Sequence, residues 1–255
     1  MKKDSAQFFE YNRFVHSARV RFSASPGIRV YMGEMEKKRL HAFLIVWSHF
    51  SVKMTGPVEG WISRAGERAI ELGFESIGKK LKHHANQEAD HDVMLVEDLK
   101  VLLARWNETY PEKITMEALN SLRLPENTNA YVDIHEDTIA SQHPYGQVAI
   151  EYEIERISVQ YGPQMVENVI NTLGEEFNAG IEFLSHHVLL DQGHTKFNKA
   201  LIEECFASGG DVKVLAETGA QALRIYGDFL TECAVASQQL ISKSESKSWN
   251  SPSMI

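Results

Sequence analysis

Six of the eleven histidines in this chain fall in two short runs, residues 82–94 (KHHANQEADHDVM) and 181–197 (IEFLSHHVLLDQGHTKF). Both runs use one spacing. His187, Asp191 and His194 stand at relative positions 0, 4 and 7, and so do His84, Glu88 and His91. A helix turns by about 100° per residue, so each trio shares one helical face. Imidazole nitrogens and carboxylate oxygens together suit a divalent transition ion, because both offer lone pairs to a borderline cation. A single such face is equally compatible with a solvated stripe carrying an i, i+4 pair. Two of them predict helices that meet around shared metal, which obliges distant segments to face one another inside a bundle. Glu88-x-x-His91 is also the Glu-x-x-His pattern that helical carboxylate proteins project into a bundle core.

A further donor is expected from residues 146–162, GQVAIEYEIERISVQYG. Glu155 lies within about 60° of the stripe formed by Val148, Tyr152 and Val159. A carboxylate centred on an apolar stripe is costly unless it is paired or metal-bound. Glu151 competes for that role from about 40° away, whereas Glu153 points to the far side. The candidate metal ligands are therefore Glu88, His91, Glu155, His187, Asp191 and His194, with His84 and Glu151 as less favoured alternatives. Glu97 and Asp98 follow the first trio by about two turns and read as solvated or supporting groups.

The rest of the chain predicts helix after helix. Residues 6–22 form a first amphipathic segment, stopped by SASPG, with His16 as a packed side chain rather than a haem ligand. Residues 33–54 form a second, in which His41 and His49 read as core or channel-lining groups. Residues 58–72 suit a short helix and 74–107 one long helix carrying the His84, Glu88 and His91 face. Minor structure at 116–124, a helix over 128–143, and segments 146–162 and 163–173 follow, the last opening at Pro163. The donor helix then runs to about 207. Gly193 inside it costs roughly 1 kcal/mol against alanine and reads as room for close packing. After SGGD, with Asp211 as N-cap, a final helix runs to about 240. Residues 242–255 are polar and Ser-rich, which predicts a disordered tail behind a domain spanning 1–241. No strand alternation, phosphate-binding glycine loop or nucleophile elbow occurs. The expected fold is all-α, a single-domain bundle of about seven or more helices.

With 255 residues, 43% of them hydrophobic, one large core is affordable. A formal charge of −9 without any Lys/Arg run argues against nucleic acid, so a small molecule is the default partner, and a homodimer is compatible with the composition. Cys205 and Cys233 belong to no metal-binding spacing and read as core thiols of a reduced protein. The N-terminus lacks a signal-peptide apolar segment, and residues 42–47 are too short a run to span a bilayer. A soluble, cytoplasmic protein is expected.

Taken together, Glu-x-x-His on one helix, a later lone Glu, and then His-x3-Asp-x2-His in a helical chain of this length resemble the haem-oxygenase-like di-iron oxidases and oxygenases. The resemblance covers most of the chain, from about residue 8 to 240. It implies a haem-oxygenase-like bundle with two Fe(II)/Fe(III) ions as cofactors and O2 as co-substrate. It further implies that Glu88, His91, Glu155 and His187 hold one iron, while Asp191 and His194 hold the other with a shared carboxylate. Some members space their first Glu and His further apart, which here would bring in His84 and displace Glu88 outward. Relatives carry out amine N-oxygenation, C–C cleavage of amino acids or fatty-acid decarboxylation, so a small carboxylate, above all an amino acid or derivative, is the implied substrate. Two other readings stand beside this one. A ferritin-like carboxylate protein would recruit Glu36, Glu88-x-x-His91, Glu155 and Asp191-x-x-His194. A non-catalytic helical interaction protein would leave the histidine clusters incidental.

Overall fold

The computed structural model describes residues 5–33 and 35–249. Among them are eleven α-helices and no strand. In chain order they are α1 (Ala6–Ser23), α2 (Pro26–Met32), α3 (Lys37–Thr55), α4 (Val58–Glu71), α5 (Glu75–Ala85), α6 (His91–Thr109), α7 (Met116–Asn120), α8 (Glu126–Ala140), α9 (Gln147–Leu173), α10 (Glu182–Ala207) and α11 (Val212–Trp249). Several begin where a side chain relieves the free N–H groups of the first turn. Ser5 accepts from Phe8, Ser25 from Ile28 and Thr115 from Ala118. Asp211 accepts from Lys213 and Val214, as the SGGD break predicts.

The core is one continuous apolar cluster drawing on nearly every helix. α3 runs through its middle: every residue from 40 to 48 is buried, as expected of a helix that is apolar all round. It packs against α6 and α11, while α9 lies on α10 and α11, α4 on α5, and α1 on α11. Cys205 and Cys233 are free, buried thiols within this core. His41 belongs to it too, its Nε2 2.8 Å from the Leu102 carbonyl and its ring edge-on to Phe177. His16 is exposed. No helix among the described residues is long and apolar enough to cross a membrane.

Three elements differ from the sequence expectations. The long helix expected over 74–107 is broken into α5 and α6 by a turn over residues 86–90, with Asp90 in the left-handed region at φ 64°. Aspartate tolerates that conformation because its short side chain can bond locally, so no glycine announces the break. Conversely, the helix expected to restart at Pro163 never stops, and α9 passes straight through it. Proline clashes with the Cβ of the residue before it when that residue is helical, but residue 162 is glycine and has none. Finally, α11 runs to Trp249, into the stretch expected to be a disordered tail, whose last residues, 250–255, lie outside the described ones.

Gly162 also sets the approach of α9 to α10. A Cβ built there would stand 2.5 Å from Cγ2 of Val188, closer than carbon atoms tolerate. The close packing expected at Gly193 is absent, since nothing lies within 4 Å of a Cβ placed there. Gly162→Ala is therefore expected to lower stability by about 1–3 kcal/mol through overpacking, despite alanine's better helix propensity. Gly193→Ala is expected to raise it by a few tenths to about 1 kcal/mol. Urea unfolding of both variants checks the pair.

Candidate metal centre

Two donor groups converge in the bundle interior and share one carboxylate. His84, Glu88, Glu155 and His194 each offer an atom within 4.8 Å of the others, and Glu88, His91 and His187 do the same. His84 lies in the last turn of α5, Glu88 sits on the turn after it, and His91 opens α6. Glu155 comes from α9, and His187 and His194 come from α10. Glu88 Oε1 lies 3.1 Å from His194 Nδ1 and 3.8 Å from His84 Nε2, while its Oε2 lies 2.9 Å from His91 Nδ1. Glu155 Oε1 is 3.0 Å from His84 Nε2 and 3.6 Å from His194 Nδ1. His187 Nε2 is 3.2 Å from His91 Nδ1.

This geometry divides the donors differently from the resemblance. His84 stands in the four-donor group, and Glu88 takes part in both. Asp191 is buried and 3.5 Å from His194 Nδ1, beside the cluster rather than within it. Glu151 is outside both groups; its Oε1 accepts from Gln147 Nε2 at 2.5 Å. Glu153 points the other way, towards Tyr11 and Arg19 of α1. His83 and His186 are exposed. Glu36, which a ferritin-like site would recruit, is exposed at the N-cap of α3, outside both groups.

The donor set fits a metal. Neither ring nitrogen of His84 or His194 makes a hydrogen bond, although all four are buried. Carboxylate oxygens stand near enough to bond to them, yet not in bonding geometry. Buried polar atoms left this way are rare, because each forfeits its hydration. Lone pairs aimed at a common centre rather than at one another account for the arrangement. Supporting groups strengthen the case. His187 Nδ1 donates to the Phe183 carbonyl at 2.7 Å, leaving Nε2 free to face the cluster. Asn198 Nδ2, one turn beyond His194, donates to both oxygens of Glu155, at 3.0 and 2.8 Å.

Electrostatics agree. Burial pushes the imidazoles of His84 and His187 below their ordinary value, keeping their lone pairs available at neutral pH. Burial also pushes Glu155 well above the usual carboxylate range, and neighbouring Asp191 adds to it. Glu88 is buried against its charge as well, but the imidazoles of His194 and His91 hold it well below the usual range. Burial disfavours the His194 cation, yet Asp191, Glu88 and Glu155 hold its pKa up at about 10. Acids gathered in the interior thus demand positive charge, which a divalent ion would supply more fully than one proton.

Asp98 has a role that its sequence position did not reveal. It is buried, and its two oxygens accept from the backbone N–H groups of Glu182 and Phe183, at 2.9 and 3.0 Å. A side chain of α6 thereby caps α10. Burial raises its carboxyl to about 6 against those two donated bonds. Asp98→Ala is expected to cost about 2 kcal/mol, because two N–H groups lose their acceptor. Metal affinity should fall with it, since α10 carries two donors; denaturant unfolding and metal titration read the two effects.

His135 gives the fold a pH dependence. It is fully buried, stacked on Trp61 at 4.2 Å, with Nδ1 bonded to the Gln147 amide. Burial lowers its pKa from 6.5 to about 4. The folded state therefore binds fewer protons than the unfolded one, so this contribution is complete above pH 6.5 and is lost as pH falls towards 4. Wild type is expected to lose about 2 kcal/mol more than His135→Gln between pH 7 and pH 5, measured by urea unfolding.

No protein-family model matches this chain, and no curated protein matches it. Solved structures do. A domain of unknown function with a haem-oxygenase-like fold, from Shewanella denitrificans, is 17% identical with a TM-score of 0.71, over 95% of this chain and 97% of that one. The fold is haem-oxygenase-like. A TenA homologue from Pseudomonas syringae pv. tomato is also similar, at 13% identity and a TM-score of 0.67, over 89% of this chain and 92% of that one. At these identities the likeness concerns the haem-oxygenase-like bundle alone.

Proposed function

We propose that this protein is a non-haem di-iron oxidase or oxygenase that activates O2 to oxidise a small organic molecule by N-oxygenation, C–C cleavage or decarboxylation. One observation carries the reading: the two oxygens of Glu88 face two different sets of donors, as a carboxylate bridging a metal pair must. Two ferrous ions held there would supply the two electrons that convert O2 into an oxidant.

The chain's own part is binding, orientation and exclusion of water. Glu88 would be shared, with His84, Glu155 and His194 on one side and His91 and His187 on the other. The His187–Phe183 and Asn198–Glu155 bonds hold two of these donors in orientation before any ion arrives. A cavity of about 960 Å³ of atom-free space, counting its open mouth, adjoins Glu88, Glu155, His187 and Asp191. Its remaining wall is mostly apolar, so a substrate seated there displaces water from the reacting side.

Anaerobic titration with Fe(II), followed by metal analysis and exposure to O2, tests the proposal. Two irons per chain and a transient visible absorption band on oxygenation are expected. A protein that retains no iron, or that holds two irons without consuming O2 in the presence of candidate substrates, refutes it.

A further inference from the structure

The charges around the cavity constrain what enters it. Its apolar wall includes Trp47, Met54, Ile154, Ile157, Leu184 and Leu230. Four carboxylates also line it, those of Glu88, Glu151, Glu155 and Asp191, and no lysine or arginine does. Glu88 and Glu155 belong to the donor groups, and Asp191 lies against His194. Glu151 belongs to neither group and has Gln147 as its hydrogen-bonding neighbour through Oε1. It is a buried acid facing the cavity, left over after the metal donors are accounted for; burial pushes its carboxyl up to about 8, so a cation beside it is what would hold its charge. The Ser51 hydroxyl, also on the cavity wall, is buried and makes no hydrogen bond.

Among the described residues no lysine or arginine lines the cavity, so in the iron-free protein a free amino acid or fatty acid would add another carboxylate to the four already there. A cationic nitrogen on an apolar body satisfies both parts of the lining: the body fills the apolar wall, and the nitrogen meets the spare acid. We infer that the site takes an apolar amine, with Glu151 as the counter-ion of its nitrogen. This departs from the small carboxylate that the family resemblance implies, and it rests on the oxidase reading only for what happens to the amine once bound.

The test compares n-octylamine, octanoate and octanol, three probes of one chain length. Each is titrated calorimetrically into the iron-free protein and, under argon, into the Fe(II)-loaded protein. Octylamine is expected to bind at least about tenfold more tightly than octanoate in the iron-free protein; in the Fe(II)-loaded protein, whose ions themselves attract a carboxylate, the loss caused by Glu151→Gln is the readout. Glu151→Gln keeps the shape of the side chain, and it should remove at least about tenfold of the amine affinity while leaving octanol binding and iron content unchanged. Octanoate binding to the iron-free protein as tightly as octylamine overturns the inference. So does a Glu151→Gln variant that binds amine normally, or one that loses iron, since Glu151 would then be a ligand. Failure of the oxidase reading looks different: the amine preference would persist in a protein that binds no iron.

Discussion

Glu88→Ala is expected to release both metal ions at once. Its two oxygens face separate donor groups, and among the described residues no other side chain belongs to both groups. Removing even a supporting partner of a metal ligand typically weakens binding 10–100-fold, so losing a shared ligand should weaken it by at least about 100-fold at both positions. His91→Ala is the informative contrast. It takes a donor from the His187 side alone and should leave one iron per chain, held by His84, Glu88, Glu155 and His194. Metal analysis after desalting reads the difference directly. A Glu88→Ala protein that still carries two irons would remove the basis of the bridged pair.

The second large effect lies on α9, on the face opposite Glu155. Glu153 is buried and accepts from Tyr11 Oη at 2.8 Å and from Arg19 Nε at 2.9 Å and Nη2 at 2.5 Å, with Arg156 3.4 Å away. Glu153→Ala strands the Arg19 charge and the Tyr11 hydroxyl inside the contact between α1 and α9. Breaking a buried pair costs about 3–5 kcal/mol. Arg19 keeps partial access to water, which places the expected loss near the lower end, about 3 kcal/mol. In a chain of this size that corresponds to a fall in Tm on the order of 10 °C. Iron content should stay as in wild type once the protein is folded, which separates this structural acid from Glu155, two residues on. A thermal scan and a metal count on the same sample give both readings.

What the sequence made legible was whatever depended on helical period. The spacing of His187, Asp191 and His194 put three polar groups on one face of α10, and all three lie at or beside the donor cluster. Glu155 was separable from Glu153 because two residues are about 200° apart on a helix. The period also carried the His84, Glu88 and His91 trio, although for a reason it could not express. These residues are close in space across a turn rather than along one continuous helix, because Asp90 adopts a left-handed conformation that Asn86-to-Asp90 composition does not demand. Pro163 misled in the other direction, since the permission granted by Gly162 depends on a pair rather than on either residue. Asn198 was missed, and Asp98 was read only as a solvated or supporting group, because each acts across elements: one buttresses a carboxylate of α9, and the other caps a helix 84 positions along the chain. Asn198 does carry a weak signal, as it continues the face of Asp191 and His194 by one further turn.

The cap formed by Asp98 gives the segment between it and His91 an unusual intolerance to length. His91 is committed to the donor cluster at one end of that segment, and Asp98 is committed to the first amides of α10 at the other. Inserting or deleting one residue between them would swing one commitment about 100° around α6 relative to the other. Apart from Leu95, which is buried in the core, residues 92–97 can therefore vary in chemistry, whereas their number is dictated by the two anchors they separate.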